Sequence, residues 1–340
     1  MRAYRMTGWG EPPRATTVPV PAPGPGEVLV RVAGCGLCRS DLTMRQMPQI
    51  VGEKLGWRMP FTLGHETAGR VAALGAGVEG LTPGEAVALI SPASCGSCHS
   101  CVRGHDSMCP HSLTGRGYGR DGGLADFVLA DARRGVVPLG DLDPSHAGPL
   151  MDAGATAYHA VRRVLPLLGA GGRVAVVGAG GLGAFAVQFL RVLSGASVVA
   201  VDPSADRRDH AVAVGATSAL ASLDRTRFEA VLDFVGTDDT IAAGIRAVRP
   251  GGAFGLIGSA GGRLTAPWFG TLPRDGAVFT FQGSSIADAQ EVVALARAGA
   301  IRNQVVPFPF AEIDQAYAQL AAGTLAGRAV IMVDDNSRDG

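Results

Sequence analysis

Four cysteines lie close together between residues 95 and 109, in a loop rich in glycine, serine and histidine. They follow the spacing Cys95-x2-Cys98-x2-Cys101-x7-Cys109. Four thiolates fill the tetrahedral coordination of Zn²⁺ and leave no position open, which is typical of a structural zinc site. An iron–sulfur cluster is the alternative, but bacterial ferredoxins place the fourth cysteine after three residues rather than seven. The spacing therefore predicts a structural zinc ion.

A second group of candidate ligands is spread over a longer stretch. Cys35 and Cys38 form a C-x2-C pair, and His65 and Glu66 follow farther along the chain. Taken alone, the cysteine pair is compatible with a thiol–disulfide couple, and the histidine with an ordinary packed side chain. Taken together, a thiolate, an imidazole and nearby carboxylates form the mixed ligand set of a catalytic zinc that keeps one position free for substrate.

A glycine-rich turn at 178–183, with the sequence GAGGLG, has the pattern of a phosphate-binding loop. It follows a short apolar run at 174–177 and precedes apolar residues with helical spacing at 184–193. A second apolar run at 197–201 ends at Asp202, whose carboxylate would accept both ribose hydroxyls of NAD and repel a 2′-phosphate. The pattern predicts a βαβ unit that binds NAD. The alternative is a glycine-rich turn with no ligand.

Each glycine of this turn has an expected role. Gly178 makes the tight turn, Gly180 lets a pyrophosphate approach the backbone, and Gly183 lets the helix pack on the strand. The exposed amides of Gly181 and Leu182, at the N-terminus of the helix, supply the anion site.

The overall composition limits the classes of partner. The chain has 340 residues, and Lys plus Arg equals Asp plus Glu at 30 each. This balance predicts neither a nucleic-acid partner nor binding to an acidic membrane surface. The first residues lack the apolar core of a signal peptide, so we expect a cytoplasmic protein whose cysteines are metal ligands rather than disulfides. A chain of this length is expected to form two domains.

The elements that must position these groups are of two kinds. The first third of the chain has short apolar runs bounded by Gly, Pro or Asp, which predicts a compact β domain of barrel type. From residue 173 onwards, apolar runs alternate with helical patterns. This alternation predicts an α/β fold with a doubly wound parallel sheet of the Rossmann type.

These motifs together resemble the zinc-dependent medium-chain alcohol dehydrogenases, in particular the bacterial NAD-dependent secondary-alcohol dehydrogenases. The resemblance covers essentially the whole chain. Besides the four-cysteine loop and the glycine turn with Asp202, it rests on four segments: 36–41 (GLCRSD), 64–66 (GHE), 152–156 (DAGAT) and 327–328 (GR).

The fold implied by the resemblance has three parts. A GroES-like β-barrel catalytic domain is expected at 1–152, and a Rossmann NAD-binding domain at 153–284. The remaining segment, 285–340, is expected to return to the catalytic domain. The active site is then expected in the cleft between the domains.

The resemblance also implies a catalytic zinc held by Cys38, His65 and Asp152. Asp152 stands where many relatives have cysteine, and an aspartate is found there in the bacterial subgroup. Its alternative role is to cap the helix that follows. Glu66 matches a residue near the metal that acts as a transient ligand, and Asp41 matches a carboxylate that orients the liganding imidazole.

The resemblance assigns Ser40 the role of taking the proton of the alcohol and passing it to the nicotinamide ribose. Thr43 stands where many relatives have the histidine that completes this relay, so we expect Ser40 to deliver the proton to water. For the cofactor, the resemblance adds further contacts: Arg39 and Arg328 at the pyrophosphate, Arg207 at the adenosine ribose, and Thr156 and the Leu182 backbone near the nicotinamide.

The predicted activity is hydride transfer between an alcohol and NAD, with two zinc ions per chain. We hypothesise a roomy, apolar pocket for secondary or aryl-bearing alcohols and their ketones. Ser91 stands where relatives often have a bulky aromatic residue, the loop that carries Trp57 is expected to close over the site, and Trp268 and Phe269 are expected to wall it. The alternative is that these residues serve ordinary packing. A small-molecule substrate and a homodimer or homotetramer are expected by analogy with relatives.

Two other functions are compatible with parts of this sequence. A zinc-independent quinone or enone reductase has the same two-domain plan but does not need Cys38, His65 and Asp152. A non-catalytic protein that binds NAD and zinc is the second alternative. Metal analysis separates them, because two zinc ions per chain support the dehydrogenase, one supports a structural site alone, and iron with visible absorbance supports a cluster.

Overall fold

The computed structural model describes residues 1–265 and 267–333, so the end of the predicted returning segment, 334–340, lies outside the described residues. Contacts divide the described chain into two units. Unit 1 comprises residues 1–155 together with the stretch from Ser284 onwards, and unit 2 comprises Thr156–Gly283.

The strands have the following bounds: β1 Arg2–Met6, β2 Arg14–Thr17, β3 Glu27–Gly36, β4 Phe61–Thr62, β5 Glu66–Leu74, β6 Ala86–Leu89, β7 Gly115–Arg116, β8 Gly119–Arg120, β9 Phe127–Asp131, β10 Val136–Pro138, β11 Arg173–Val177, β12 Ser197–Val201, β13 Ser218–Leu220, β14 Phe228–Asp233, β15 Val248–Leu256, β16 Ala277–Thr280, β17 Val305–Pro309 and β18 Arg328–Met332.

The helices have the following bounds: α1 Arg39–Arg45, α2 Gln49–Lys54, α3 Pro144–Ala147, α4 Ala153–Val164, α5 Gly181–Leu193, α6 Ala205–Ala213, α7 Asp238–Ala247, α8 Ile286–Arg297 and α9 Ile313–Ala322. Short 3₁₀ turns occur at Cys101–Arg103, Asp106–Met108, Gly148–Met151, Leu165–Leu167 and Phe310–Glu312. Within the described residues, no helix has the length and apolar character needed to span a bilayer.

Unit 1 is built on a sheet with the strand order β10-β6-β5-β3-β18-β17, in which β9 also pairs with β3. Antiparallel pairing joins β3 to β5, β9 and β18. Val28, Val30 and Val32 alternate along β3 and are all fully buried, because successive side chains of a strand point to opposite faces. This mostly antiparallel arrangement confirms the predicted GroES-like β domain.

The pairing of β18 with β3 sets Ile331 opposite Cys35. Arg328, the first residue of β18, is therefore carried to the end of β3, close to where α1 begins. A residue near the end of the chain thus joins elements formed by its first third.

Unit 2 contains a six-stranded sheet with the order β13-β12-β11-β14-β15-β16, and all its pairings are parallel. The central strand β11 is apolar at 174–177, and all four of these residues are buried. A continuous apolar run is expected where helices cover both faces of a parallel sheet. The observed topology confirms the predicted Rossmann fold.

Candidate metal centres and dinucleotide site

Cys38 is placed by the junction between β3 and α1. It is the N-cap residue of α1. Oδ2 of Asp41 accepts a hydrogen bond from the backbone N–H of Cys38 over 2.9 Å, which closes the first turn of the helix. The same acidic residue that caps the helix therefore stands beside the thiol.

Strand pairing brings His65 and Glu66 to this junction. β5 begins at Glu66, whose register partner in β3 is Gly36. A Cβ atom at Gly36 would lie 2.1 Å from Oε2 of Glu66. Glycine at this position therefore leaves the room that the Glu66 carboxylate occupies.

Asp152 arrives from a third direction. It follows the 3₁₀ turn Gly148–Met151 and precedes α4. A Cβ at Gly148 would lie 2.1 Å from the carbonyl oxygen of Glu66, so the turn packs closely on β5. The ligand atoms of Cys38, His65, Glu66 and Asp152 all lie within 4.8 Å of one another. Donors that share one zinc ion at about 2.0–2.3 Å are separated by comparable distances.

The two ring nitrogens of His65 face different partners. Nδ1 lies 3.1 Å from Oδ1 of Asp41, although the pair lacks the alignment of a good hydrogen bond. Nε2 lies 3.3 Å from Oγ of Ser40 and 3.5 Å from Oδ2 of Asp152. Burial lowers the pKa of His65, but the Asp41 and Asp152 carboxylates outweigh it and raise this pKa well above its usual value. A carboxylate behind one ring nitrogen, with the other nitrogen facing further donors, is typical of zinc-bound histidine.

Glu66 and Arg328 form a buried ion pair beside these donors. Nε of Arg328 donates to Oε2 of Glu66 over 2.9 Å, and Nη2 donates to Oε1. Nη2 also lies 3.7 Å from Oδ2 of Asp152. Burial raises the pKa of Glu66 to about 7, although Arg328 opposes this change. The structure thus places Arg328 against the metal-ligand cluster; its expected contact with the pyrophosphate stays a prediction.

The charges of this cluster fit a divalent cation. The Arg328 guanidinium pairs with the Glu66 carboxylate and lies 3.7 Å from that of Asp152, while the Asp41 carboxylate lies beside His65. Burial raises the pKa of Asp152, but His65 and Arg328 outweigh it and hold this pKa well below its usual value. Buried charges are costly unless they are paired or bind a metal. The mixture of N, O and S donors matches the preference of Zn²⁺.

Tyr118 lies at the site although the sequence analysis did not single it out. Its ring is edge-on to that of His65, with centroids 6.2 Å apart, and 6.3 Å from the ring of Trp57. The available signal was the flanking glycines, Gly117 and Gly119, which both have φ of +82°. A Cβ at Gly117 would lie 2.8 Å from the backbone nitrogen of His65, so these glycines let the loop approach the metal ligands.

The residues predicted to wall a substrate pocket have different surroundings. Ser91 is buried, and its Oγ donates to the backbone carbonyl of Arg116 over 3.0 Å. Trp57 is also buried in unit 1. Trp268 and Phe269, in unit 2, are 72% and 80% exposed. Their role at a pocket stays a prediction.

The four-cysteine loop brings its thiols together as its spacing predicts. The Sγ atoms of Cys95, Cys98, Cys101 and Cys109 all lie within 4.8 Å of one another. The backbone N–H of Cys98 donates to Sγ of Cys95 over 3.3 Å, and that of Cys95 donates to Sγ of Cys109 over 3.4 Å. Backbone hydrogen bonds from Ser97 and Cys98 lower the pKa of Cys95 to about 6. N–H groups aimed at sulfur favour the thiolate that binds zinc.

The glycine turn of unit 2 has the geometry expected of a dinucleotide loop. Gly178 has φ of +85°, and a Cβ at Gly183 would lie 1.9 Å from the carbonyl oxygen of Gly178. Around Gly180, by contrast, a Cβ would meet no atom within 4 Å. α5 begins at Gly181 without a side-chain cap, so its first amides are available to an anion.

Asp202 lies directly after β12 and is 3% exposed. Its Oδ2 accepts the backbone N–H of Ala179 over 3.0 Å, and its Oδ1 accepts that of Ser204 over 2.9 Å. Nη1 of Arg207 lies 3.8 Å from Oδ2. A carboxylate has about four lone-pair positions, so these contacts leave acceptors for a ribose.

Three other residues predicted to contact the cofactor lie on helices. Arg39 is exposed on α1, Thr156 is buried on α4, and Leu182 is half-buried on α5.

Comparison with known proteins identifies the family to which the chain is similar. A family model described as alcohol dehydrogenase GroES-like domain matches residues 24–141, and one described as zinc-binding dehydrogenase matches residues 181–298. The D-arabinose 1-dehydrogenase (NADP(+)) of Saccharolobus solfataricus is 29% identical over 97% of each chain. The NAD-dependent alcohol dehydrogenase of Sulfolobus acidocaldarius is 31% identical, over 98% of this chain and 100% of the relative.

Among solved structures, the acetophenone reductase of Geotrichum candidum in complex with NAD superposes with a TM-score of 0.89. It is 29% identical, and the match covers 98% of each chain. Together with the 31% identity to an alcohol dehydrogenase over almost the whole length, these findings confirm the resemblance. The chain belongs to the zinc-binding alcohol dehydrogenase family of oxidoreductases.

Proposed function

We propose that this protein is a zinc-dependent dehydrogenase that transfers hydride between NAD and a secondary or aryl-bearing alcohol, or the matching ketone or aldehyde. The observation that carries the proposal is the cluster of Cys38, His65, Glu66 and Asp152, whose ligand atoms lie within 4.8 Å of one another. A zinc-independent reductase does not need this donor set. A NAD-dependent alcohol dehydrogenase and an acetophenone reductase among the similar proteins support the reaction and the kind of substrate.

Cys38, His65 and Asp152 are the proposed ligands of the catalytic zinc, and the four cysteines of the loop hold a structural one. Three protein ligands leave one position open for the substrate oxygen. Glu66 is available as a transient donor only when it leaves Arg328, because both its carboxylate oxygens bond that guanidinium. When bound, zinc supplies a Lewis acid that lowers the pKa of the alcohol hydroxyl.

Ser40 is the proposed acceptor of the alcohol proton. Its Oγ lies 3.3 Å from Nε2 of His65, beside the proposed metal ligands. A hydroxyl relays a proton by accepting one and donating its own. Ser40 is exposed in unit 1, and Thr43 replaces the histidine that continues the relay in many relatives. The proton therefore passes from Ser40 to water.

The cofactor is proposed to bind unit 2 through the glycine turn at 178–183. Open space around Gly180 admits the pyrophosphate, and the uncapped start of α5 binds it. The buried carboxylate of Asp202 favours NAD, because it would repel a 2′-phosphate. The NADP(+) in the name of the D-arabinose relative makes NADP the alternative cofactor to test. Contacts from Arg39, Thr156, Arg207 and Arg328 complete the proposed site.

We also propose a catalytic domain at 1–152, an NAD-binding domain at 153–284 and a returning segment at 285–340. A cytoplasmic homodimer or homotetramer is the proposed assembly. The six cysteines are free thiols, as suits metal ligands in a reducing compartment. Light scattering after gel filtration tests the oligomeric state, and a monomer would contradict this part.

Metal analysis with a substrate panel tests the function. We expect two zinc ions per chain, and faster reduction of a bulky aryl ketone with NADH than of acetaldehyde. Faster turnover of acetaldehyde would contradict the bulky substrate. D-Arabinose oxidation with NADP as the best pair would contradict the proposed substrate and cofactor together. A single zinc and no turnover of any alcohol would contradict the enzyme.

A further inference from the structure

Asp106 connects the four-cysteine loop to a distant segment of unit 1. It lies in the 3₁₀ turn Asp106–Met108 and is 5% exposed. Its backbone carbonyl accepts the N–H of Cys109 over 3.0 Å. Oδ2 of its side chain accepts the backbone N–H of Ile286 over 3.2 Å. One residue therefore bonds both a predicted zinc ligand and the first residue of α8.

The start of α8 is capped in two parts. The first four N–H groups of a helix have no partner within it. Oγ of Ser285 accepts the N–H of Asp288 over 3.1 Å, and Oδ2 of Asp288 accepts that of Ser285 over 2.9 Å. This capping box leaves the N–H of Ile286 to Asp106, whose negative charge is favoured at a helix N-terminus. The cap of α8 is thus completed by the four-cysteine loop.

Arg134 holds the Asp106 carboxylate against the loop. Its Nη2 donates to Oδ1 of Asp106, and to Oγ of Ser94 over 2.9 Å. Its Cδ lies 3.1 Å from the position that a Cβ on Gly96 would take. Ser94 and Gly96 are the neighbours of Cys95. The guanidinium therefore contacts the loop on both sides of a predicted ligand, so the orientation of Asp106 depends on the shape of the loop.

We propose that Asp106 is a positioning residue that couples metal binding by the four-cysteine loop to the order of the first turn of α8. This turn begins two residues after Ser284, where the chain passes from unit 2 back into unit 1. The metal joins residues 95 and 109, which fixes Arg134 and Asp106, and Asp106 fixes the N–H of Ile286. Without the metal, the loop opens and this N–H loses its acceptor. The inference rests on the proposed zinc in the loop.

Hydrogen exchange at the Ile286 amide of the full zinc-loaded chain tests the coupling. Cys95→Ser, at an exposed position, removes the loop metal without touching Asp106. We expect it to lose one zinc per chain and to speed exchange at Ile286 by about tenfold or more, as expected for loss of a hydrogen bond to a charged group. Asp106→Ala should speed this exchange as much with both zinc ions retained, and Asp106→Glu should restore most of the protection.

Asp143→Ala is the matched control. Asp143 also accepts a helical N–H, that of Ser145 over 2.9 Å at the start of α3, and its loss should leave Ile286 unchanged. If Asp106→Ala fails to fold, hydrogen exchange at Ile286 is measured in Asp106→Asn and Cys95→Ser instead. Unchanged exchange at Ile286 after loss of the loop zinc would overturn the coupling alone. A wild-type chain with no zinc in the loop would overturn the proposed metal content and the coupling together.

Discussion

The two groups of proposed metal ligands in unit 1 are built in opposite ways. The four cysteine thiols all come from the loop at 95–109, and the amides of the same loop bond their sulfur atoms. The donors of the other group come from positions 38, 65, 66 and 152, and the guanidinium at 328 completes it. The first group therefore depends on a local turn, and the second on the pairing of β3, β5 and β18.

A local loop and a site assembled from several elements are suited to different roles. A loop with four identical donors close in sequence saturates zinc and cross-links the chain, which stabilises structure. The site assembled from separate elements has mixed donors with a carboxylate behind the imidazole, and with three protein ligands it would leave one position open for substrate. We expect substitutions in the loop to reduce stability first, and substitutions in the assembled site to reduce activity first.

The largest effect should follow His65→Ala. Loss of this ligand should lower kcat/KM at least about a thousandfold, because the metal position and its open site are lost together. The zinc content should fall from two ions to one per chain, with the circular dichroism spectrum retained. His146→Ala, at a more exposed histidine paired with Asp143, is the control. Retained activity with one zinc would contradict the assignment of the catalytic centre.

Cys98→Ser should act mainly on stability. If free zinc exceeds its dissociation constant a thousandfold, losing the loop metal should lower the free energy of unfolding by about 4 kcal/mol. Denaturant unfolding measures this change, and kcat at low temperature should fall much less than in His65→Ala. Val102→Ala, at a 67% exposed position of the same loop, is the control. A Cys98→Ser variant that keeps its stability but loses activity would contradict the expectation that the loop metal acts mainly on stability.

Asp41→Asn tests the role of the carboxylate that lies beside Nδ1 of His65. The neutral amide should weaken zinc affinity or activity by about 10- to 100-fold, as is usual for a partner of a liganding histidine. Competition with a chelator measures the affinity, and the loop zinc should be unaffected. Asp143→Asn, at another acid that accepts an N–H at a helix start, is the control. Equal weakening of both zinc ions would argue against a local role.

Asp202→Asn should have the smallest effect, and it extends the comparison to unit 2. Removing the charge should reduce the preference for NAD over NADP by about tenfold, because the ribose hydroxyls then donate to a neutral acceptor and a 2′-phosphate is no longer repelled. The ratio of kcat/KM values for the two cofactors measures it. Asp206→Asn, on α6 nearby, is the control. An unchanged ratio would contradict the predicted role of Asp202.

Local spacing was sufficient for much of the fold and for the four-cysteine loop, whereas Asp152 entered the second site only through the resemblance to a known family. The glycine turn at 178–183 and the apolar run at 174–177 predicted the Rossmann unit, which the parallel sheet confirms. The motifs at 36–41 and 64–66 predicted that Cys38 and His65 share a site, and the structure brings their ligand atoms together. Tyr118 was missed, because an aromatic residue in a glycine-rich loop carries no periodic signal that distinguishes it from packing.

The sequence by itself determined the four-cysteine loop, the dinucleotide turn and the alternation of strands and helices, because each depends on residues only a few positions apart. Only the tertiary structure decided that Arg328 bonds Glu66, 262 positions away, and that Asp106 caps α8 from 180 positions away. The physical reason is that strand register and loop packing set these contacts. Register is determined by the burial of whole strand faces, which no short segment contains.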